Sequence, residues 1–160
     1  MTARTKRISD TFATNNYIAK VQTEGLSHED SLIQAPFRAN TMNWVLGHML
    51  VGRNSILELL GQPPYADPET VTLYNYESKP VTNPDKAVPL DNLLTGLRET
   101  HHLIETALQN MDDAALEQIV DEEKGKTVGD QVEWLAWHET YHAGQLELLR
   151  QLAGTDDKVI

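Results

Sequence analysis

Residues 127–152 form a long run whose apolar side chains repeat at the period of an α-helix. The apolar stripe, taken at about 100° per residue, lies within about 40° of a line through Leu135 and contains Val128, Leu146 and Leu149. His142 lies about 20° from the same line and His138 about 60° from it. Both imidazoles therefore face the predicted core one helical turn apart, as two ligands of a single metal ion must.

Three further segments of the chain have a helical pattern, and no stretch is a convincing strand. The predicted long helices cover residues 7–24, 41–60, 89–109 and 127–152, and a short helix is predicted at residues 112–120. Thr127 and Asp130 resemble a capping box with Asp in the Glu position. The Pro-rich residues 62–88 are too long for a simple turn and are expected to wrap one end of the molecule. The sequence thus predicts an all-α fold: a four-helix bundle with a long connection between helices two and three. We expect a single domain over residues 1–160, with a frayed tail at residues 155–160.

The composition argues against several classes of partner. With 13 Lys and Arg against 24 Asp and Glu, the net charge of −11 disfavours nucleic acid and anionic membrane surfaces, because both attract clustered cations. No apolar run approaches the ~20 residues of a membrane span, and the first residues lead into no signal-like apolar region. The chain has no cysteine, which excludes disulfides, zinc–thiolate sites and a thiol nucleophile. We expect a cytoplasmic protein that acts on a small molecule.

A third metal ligand is expected from another helix, because a further residue on the helix of residues 127–152 would point away from the ion. The candidate is His48, which shares a face with the small residues Gly52 and Ser55, where another helix can approach closely. Each histidine taken alone is more commonly a hydrogen-bonded core residue, and that alternative stays open. Three neutral imidazoles would leave the +2 charge of an ion intact and at least one coordination position open, as in reactive metal sites.

The predicted helix of residues 41–60 is apolar on almost all sides. Its larger apolar residues include Leu46, Met49, Leu50, Ile56, Leu57 and Leu60. Such a helix is either central in the bundle or also covered by a second subunit. We therefore predict a homodimer, the alternative being that the first helix and the long connections cover this surface in a monomer.

The stretches NWVLGH at residues 43–48 and HETYHAGQ at residues 138–145 resemble the DinB-like (DinB/YfiT) superfamily, and the resemblance extends over the whole chain. It implies an unequal four-helix bundle that is commonly dimeric and binds a divalent metal, commonly zinc, nickel or iron. The family's three histidine ligands match His48, His138 and His142. The resemblance further implies reactions such as S-transfer with bacillithiol or mycothiol, or mycothiol-dependent isomerisation of maleylpyruvate.

A di-iron carboxylate site is a rival interpretation, because the ExxH spacing occurs twice, at Glu99 with His102 and at Glu139 with His142. The helix of residues 89–109 argues against it. Relative to the apolar stripe of that helix, Glu99 points about 180° away and His102 about 120° away, so neither side chain reaches a core metal. The three-histidine interpretation is preferred.

Five residues near the predicted site have more than one interpretation. His101 lies on the apolar stripe of its helix and is expected to be a hydrogen-bonded core or cavity residue rather than a fourth ligand. Glu139 is either a partner that orients a ligand imidazole or a partly solvated charge. Arg53 either neutralises an acidic ligand or forms an ion pair on the helix surface. Tyr141 and Gln145 could orient a substrate, although Tyr141 could equally serve packing or a dimer contact. No general base is assigned.

Three functional hypotheses follow from an open metal site. The first is a metal-dependent enzyme of the S-transferase or isomerase type, in which the metal lowers the pKa of a thiol. Because the chain lacks cysteine, the sulfur would come from a low-molecular-weight thiol cosubstrate. The second is a metal-dependent hydrolase that activates water, and the third is a non-catalytic metal-binding or sensing protein.

Overall fold

The computed structural model describes residues 1–157 of the chain, and most of them are helical. The helices are α1 (Ala3–Thr23), α2 (Met42–Leu59), α3 (Pro68–Tyr74), α4 (Leu90–Gln109), α5 (Asp113–Leu116), α6 (Val128–Ala143) and α7 (Gln145–Leu152), with a 3-10 turn at Asp30–Leu32. The strands are β1 (Ile119–Asp121) and β2 (Lys126–Thr127). The predicted all-α class is confirmed.

The long helices form a bundle in which α1 and α2 each pack against both α4 and α6. The consecutive helices α1 and α2 therefore lie diagonally across from one another. Helix α7 continues the line of α6 and packs against α1 and α2. The predicted connection between the second and third long helices is present, and it contains α3, which packs on α2.

Side-chain caps determine where the two helices that carry the histidines begin. At the start of α2, the Thr41 hydroxyl accepts a hydrogen bond from the Trp44 amide (3.2 Å). At the start of α6, the Thr127 hydroxyl accepts from the Asp130 amide (3.1 Å), and the Asp130 carboxylate accepts from the Thr127 amide (3.0 Å). The capping box predicted from the sequence is confirmed.

Helix α2 is buried on nearly all sides by the chain itself. The ring of Tyr74, from the end of α3, lies directly on Gly47, where any Cβ would collide with it. The Tyr74 hydroxyl donates to Asn43 (2.7 Å) and accepts from the amide of Val88 (2.9 Å). These hydrogen bonds hold the long connection against α2. The apolar surface of this helix is thus covered within one protomer, and it supplies no argument for a dimer.

The prediction that the chain has no strand is wrong for the segment before α6. The short helix predicted at residues 112–120 ends at Leu116, and the chain then forms the antiparallel β1–β2 hairpin, with Ile119 paired to Thr127. Gly125, with a φ of 62°, allows the reversal of direction. Two consecutive β-branched residues, Ile119 and Val120, favour an extended backbone at this position.

The helix predicted over residues 127–152 is divided in two at Gly144, where α6 ends and α7 begins. The glycine backbone remains near helical angles (φ −64°, ψ −20°), and its amide still donates to the carbonyl of Thr140 (3.1 Å). Because glycine is a poor helix former, an interruption of the helix at this residue has a low energetic cost. The division lies next to the candidate ligand His142.

The core consists of two apolar clusters separated by a polar layer. One cluster includes Leu46, Leu97 and Leu146, and the other includes Phe12, Ile56 and Ile104. Between them lie four buried polar residues, one from each long helix: Asn15, Arg53, Thr100 and Glu139. The interpretation of Arg53 as a helix-surface residue is therefore wrong, since its side chain is fully buried.

No helix in the stretch up to residue 157 is both long and apolar enough to cross a membrane. Residues 158–160 of the predicted frayed tail lie outside the described residues. Before them, the Asp157 carboxylate accepts hydrogen bonds of 3.1 and 2.9 Å from the buried guanidinium of Arg150. These hydrogen bonds connect Asp157 to Arg150 of α7.

Candidate metal centre

Three imidazoles from two helices converge at the end of the apolar cluster that contains Leu46. His48 comes from α2, and His138 and His142 come from consecutive turns of α6. One ring nitrogen of each lies within 4.8 Å of those of the other two, and the Nε2 atoms of His138 and His142 are 3.2 Å apart. His48 and His142 are buried, whereas His138 is partly exposed. The group is therefore open to solvent on the His138 side.

A backbone carbonyl fixes the orientation of the His48 ring. Its Nδ1 lies 2.8 Å from the carbonyl oxygen of Tyr74. Since a carbonyl oxygen only accepts, Nδ1 carries the proton and Nε2 of the neutral ring presents a lone pair. The indole of Trp44 stacks on one face of the His48 ring, with the ring centroids 4.7 Å apart and the ring planes 10° apart. The packing of α3 on α2, which places the Tyr74 carbonyl beside His48, thus determines the tautomer of His48.

A side-chain amide performs the same function for His142, whose Nδ1 lies 2.9 Å from Oε1 of Gln145. The proton therefore resides on Nδ1, and Nε2 faces His138. Burial lowers the pKa of His142 to about 4, so its ring is neutral at physiological pH. Burial also lowers the pKa of His138, whose ring stacks on Trp134 at 5.3 Å. The sequence interpretation of Gln145 as a substrate-orienting residue missed this contact with a ligand.

The donor set fits a divalent cation. Two nitrogens of a tetrahedral site with metal–nitrogen bonds of about 2.0–2.1 Å are about 3.3–3.4 Å apart, close to the distance between the His138 and His142 Nε2 atoms. Imidazole nitrogens grouped in this way suit zinc, nickel and iron alike. The three histidines could therefore hold a metal ion.

Removing the hydrogen bond to His142 should weaken metal binding without removing a ligand. We expect Gln145→Leu to lower the affinity for a divalent cation about 10- to 100-fold, the range typical of partners that orient a ligand imidazole. The affinity is measured by competition with a chromophoric chelator. Gln151→Leu, an exposed glutamine on α7, is the matched control. Equal affinities for the two variants would contradict the role assigned to Gln145.

An ion pair between Arg53 and Glu139 lies in the polar layer between the two apolar clusters, and both side chains are almost fully buried. Arg53 Nε donates to one carboxylate oxygen of Glu139 at 2.7 Å, and its Nη2 donates to the other at 2.8 Å. Asn15 also donates to Glu139 (3.1 Å), and Thr100 is within 3.0 Å of the guanidinium. Glu139 therefore neither hydrogen-bonds a ligand imidazole nor faces solvent, and both sequence interpretations of it are wrong.

Among residues 1–157, none of the remaining candidates joins the group of three histidines. His101 is half-buried, its Nε2 has no hydrogen-bond partner among the described residues, and burial lowers its pKa. The hydrogen bond expected for this atom is therefore absent from the described part of the chain. Glu99 accepts a hydrogen bond from the hydroxyl of Tyr65 at the surface, and His102 is exposed. The rejection of a di-iron site agrees with these positions. Tyr141 is exposed, with its ring centroid 5.3 Å from that of His142.

A cavity of about 1030 Å³ is lined by neighbours of two of the imidazoles, although none of the three histidines is part of its lining. It shares Trp44, which stacks on His48, and Gln145, which hydrogen-bonds to His142. Its lining also includes Val45, Leu148, Arg38 and Lys79. A pocket of this size beside a candidate metal centre can accommodate a small molecule.

Comparisons with known proteins agree with the fold. The sequence model of the DinB superfamily matches residues 16–146. Among solved structures, one similar chain is a conserved protein from Enterococcus faecalis: its crystal structure superposes with a TM-score of 0.76, at 16% identity, over 97% of this chain and 99% of that one. At this identity the likeness shows the fold alone. No protein of curated function matches the chain.

Proposed function

The chain belongs to the DinB superfamily, and from this premise we propose that it binds one divalent cation through His48, His138 and His142. We propose further that it acts on a low-molecular-weight thiol as an S-transferase or isomerase. The observation that supports this most directly is the convergence of three imidazole nitrogens, together with a cavity whose lining includes Trp44 and Gln145, the contacts of His48 and His142. The proposed metal is zinc, nickel or iron. Residues 1–160 are proposed to form a single domain.

The bound cation would supply positive charge and an open coordination position, which together lower the pKa of a thiol or of water. The residues of the chain supply the rest. Tyr74 and Gln145 fix the tautomers of His48 and His142, so their lone pairs need no rearrangement. Trp44 covers one face of the His48 ring and restricts access of water from that side. The chain has no cysteine, so the sulfur must come from the small molecule.

The position of Glu139 favours thiol chemistry over hydrolysis. A hydrolase of this type can use a free carboxylate near the metal to remove a proton from water. Glu139 is the carboxylate nearest to the candidate ligands in sequence, but both of its oxygens accept hydrogen bonds from Arg53. It is therefore engaged in the ion pair and not available as a base.

The reaction is tested with a panel of small thiols and an electrophile such as monochlorobimane. We expect the metal-loaded protein to consume at least one thiol faster than the His142→Ala variant does. His102→Ala, which replaces an exposed histidine on α4, should retain the rate. If no thiol on the panel reacts faster than with His142→Ala, the transferase proposal fails, and hydrolysis or metal sensing becomes the better description.

We also propose a homodimer formed through an exposed aromatic face of α6. Trp134, Trp137 and Tyr141 lie on one side of that helix and are 49%, 61% and 58% exposed. Exposed aromatic side chains grouped on one helix face are typical of protein interfaces. Because about half or more of each side chain is exposed in the protomer, a second copy of the same face would remove this aromatic surface from water.

Light scattering tests the dimer. We expect a mass about twice the 18.0 kDa of the chain, and a mass close to that of the single chain for the Trp137→Ser, Tyr141→Ser variant. Phe37→Ser, which removes an aromatic side chain of similar exposure outside α6, should leave the mass of the assembly unchanged. A wild-type protein of about 18 kDa at micromolar concentration would rule out the dimer.

A further inference from the structure

The cavity that Trp44 and Gln145 help to line combines an apolar wall with cationic side chains. The apolar wall is formed by Val45 and Leu148, and the side chain of Leu148 is 60% exposed. The cationic side chains are Arg38 and Lys79, which come from the segments before α2 and after α3. Two segments distant in sequence thus bring positive charge to the same cavity.

The charge of this cavity differs from that of the molecule as a whole. The chain carries a net charge of −11. The cavity lining has two cations, Arg38 and Lys79, and one carboxylate, Glu77. Among residues 1–157, neither cation forms an ion pair or a side-chain hydrogen bond. By contrast, the buried Arg53 and Arg150 both pair with carboxylates. Arg38 and Lys79 therefore remain available to an anionic ligand.

The segment that carries Lys79 has a defined conformation. The side chain of Ser78 accepts a hydrogen bond from the indole of Trp44 (2.7 Å) and donates to the carbonyl of Leu73 (2.8 Å). Glu77 has a φ of 74°, and it is the non-glycine residue with positive φ among residues 1–157. A non-glycine residue in this region is strained, and such strain is concentrated at functional sites. Trp44 thus connects the lysine segment directly to His48.

We propose that this cavity is the substrate pocket of the three-histidine centre and that it binds a carboxylate-bearing small molecule, with the carboxylate at Arg38 and Lys79. The assignment of the pocket to a substrate rests on the proposed function, whereas the binding of a carboxylate does not. Guanidinium and ammonium groups both form charge-assisted hydrogen bonds to carboxylates. Leu148 and Val45 provide the apolar surface for the carbon skeleton, and the end of the molecule away from the carboxylate lies toward Trp44 and Gln145, the lining residues that contact His48 and His142.

The test is a binding measurement that requires no reaction. Succinate is titrated into the protein as isolated and into chelator-treated protein, and backbone amide NMR shifts report both the affinity and the location. Succinamide is the uncharged probe of the same size, and inorganic phosphate is the alternative anion. The variants are Arg38→Gln, Lys79→Gln and Glu77→Gln. Lys20→Gln, an exposed lysine on α1, is the matched control.

We expect succinate to bind more tightly than succinamide and phosphate, with shifts at the residues of the cavity in both preparations. Arg38→Gln and Lys79→Gln should each weaken succinate binding about fivefold, and added salt should weaken it further, because both cations are exposed to solvent. Glu77→Gln should strengthen it, and Lys20→Gln should have no effect.

Three results would overturn the proposal. The first is equal binding of succinate and succinamide, and the second is unchanged affinity in Arg38→Gln and Lys79→Gln. The third is tighter binding of phosphate than of succinate, which would assign the cations to a phosphoryl group instead. Because the binding measurement requires no reaction, its results can be interpreted even if the thiol assay fails. The two proposals can therefore fail separately.

Discussion

Replacing His142 with alanine should abolish stoichiometric binding of a divalent cation. The His142 Nε2 lone pair is directed toward His138, and the remaining two imidazoles cannot enclose an ion as three do. We expect the affinity to fall by more than about 100-fold, because the loss of a ligand exceeds the 10- to 100-fold effect of losing its orienting partner. The measurement is metal content by mass spectrometry, combined with chelator competition.

The wild-type protein and the His142→Ala variant should also differ in how much added metal raises their thermal stability. A ligand that binds only the folded state stabilises it by about 4 kcal/mol at a free concentration 1,000 times its dissociation constant. Added metal should therefore raise the melting temperature of the wild-type protein and of His102→Ala, and leave that of His142→Ala nearly unchanged. Stoichiometric metal in a His48→Ala, His138→Ala double variant would show that the ion binds elsewhere.

The positions of the three histidines could be predicted because helical periodicity relates residues within one helix. His138 and His142 are four residues apart on an apolar stripe, so one turn of α6 necessarily brings their rings together. The approach of His48 depends on the packing of α2 against α6. A regular bundle of the predicted topology provides that packing, and the NWVLGH resemblance located the residue within it.

The partners of these histidines were not predictable by the same reasoning. The carbonyl of Tyr74 reaches His48 because an irregular connection folds back along α2, and helical periodicity has no bearing on the path of a connection. The Gln145 contact lies across the division at Gly144, where the sequence predicted one continuous helix. The hairpin of Ile119 was missed for a similar reason: its strands are too short to show an alternating pattern.

The burial of Arg53 also escaped the sequence interpretation, although a signal was present. Arginine is rarely buried unless its charge is paired, so a charged residue is ordinarily assigned to the surface. Arg53, however, lies in a helix that is apolar on almost all sides, and such a helix has little surface to offer. A buried position for Arg53 requires a buried acid on a neighbouring helix, and Glu139, near the apolar stripe of α6, was the available residue.

The final prediction concerns this ion pair, which should be among the most sensitive points of the fold. Arg53 and Glu139 are 0% and 4% exposed, so removing either leaves the other as a buried, unpaired charge. We expect Arg53→Met and Glu139→Leu each to lower the free energy of unfolding by about 3–5 kcal/mol. Urea denaturation measures these changes. Lys6→Met, which breaks an exposed ion pair with Asp10 on α1, is the control and should have little effect.

The double variant Arg53→Met, Glu139→Leu separates the ion pair from simple loss of packing. It removes both charges together, so its destabilisation should be clearly smaller than that of the two single variants added together. Additive effects would show that the two residues contribute independently. Because the pair connects α2 to α6, the helices that supply the three histidines, metal content should fall in each single variant and recover in part in the double variant. Full metal content in every variant would show that the helices keep their alignment without the ion pair, and would limit the role of Arg53 and Glu139 to stability.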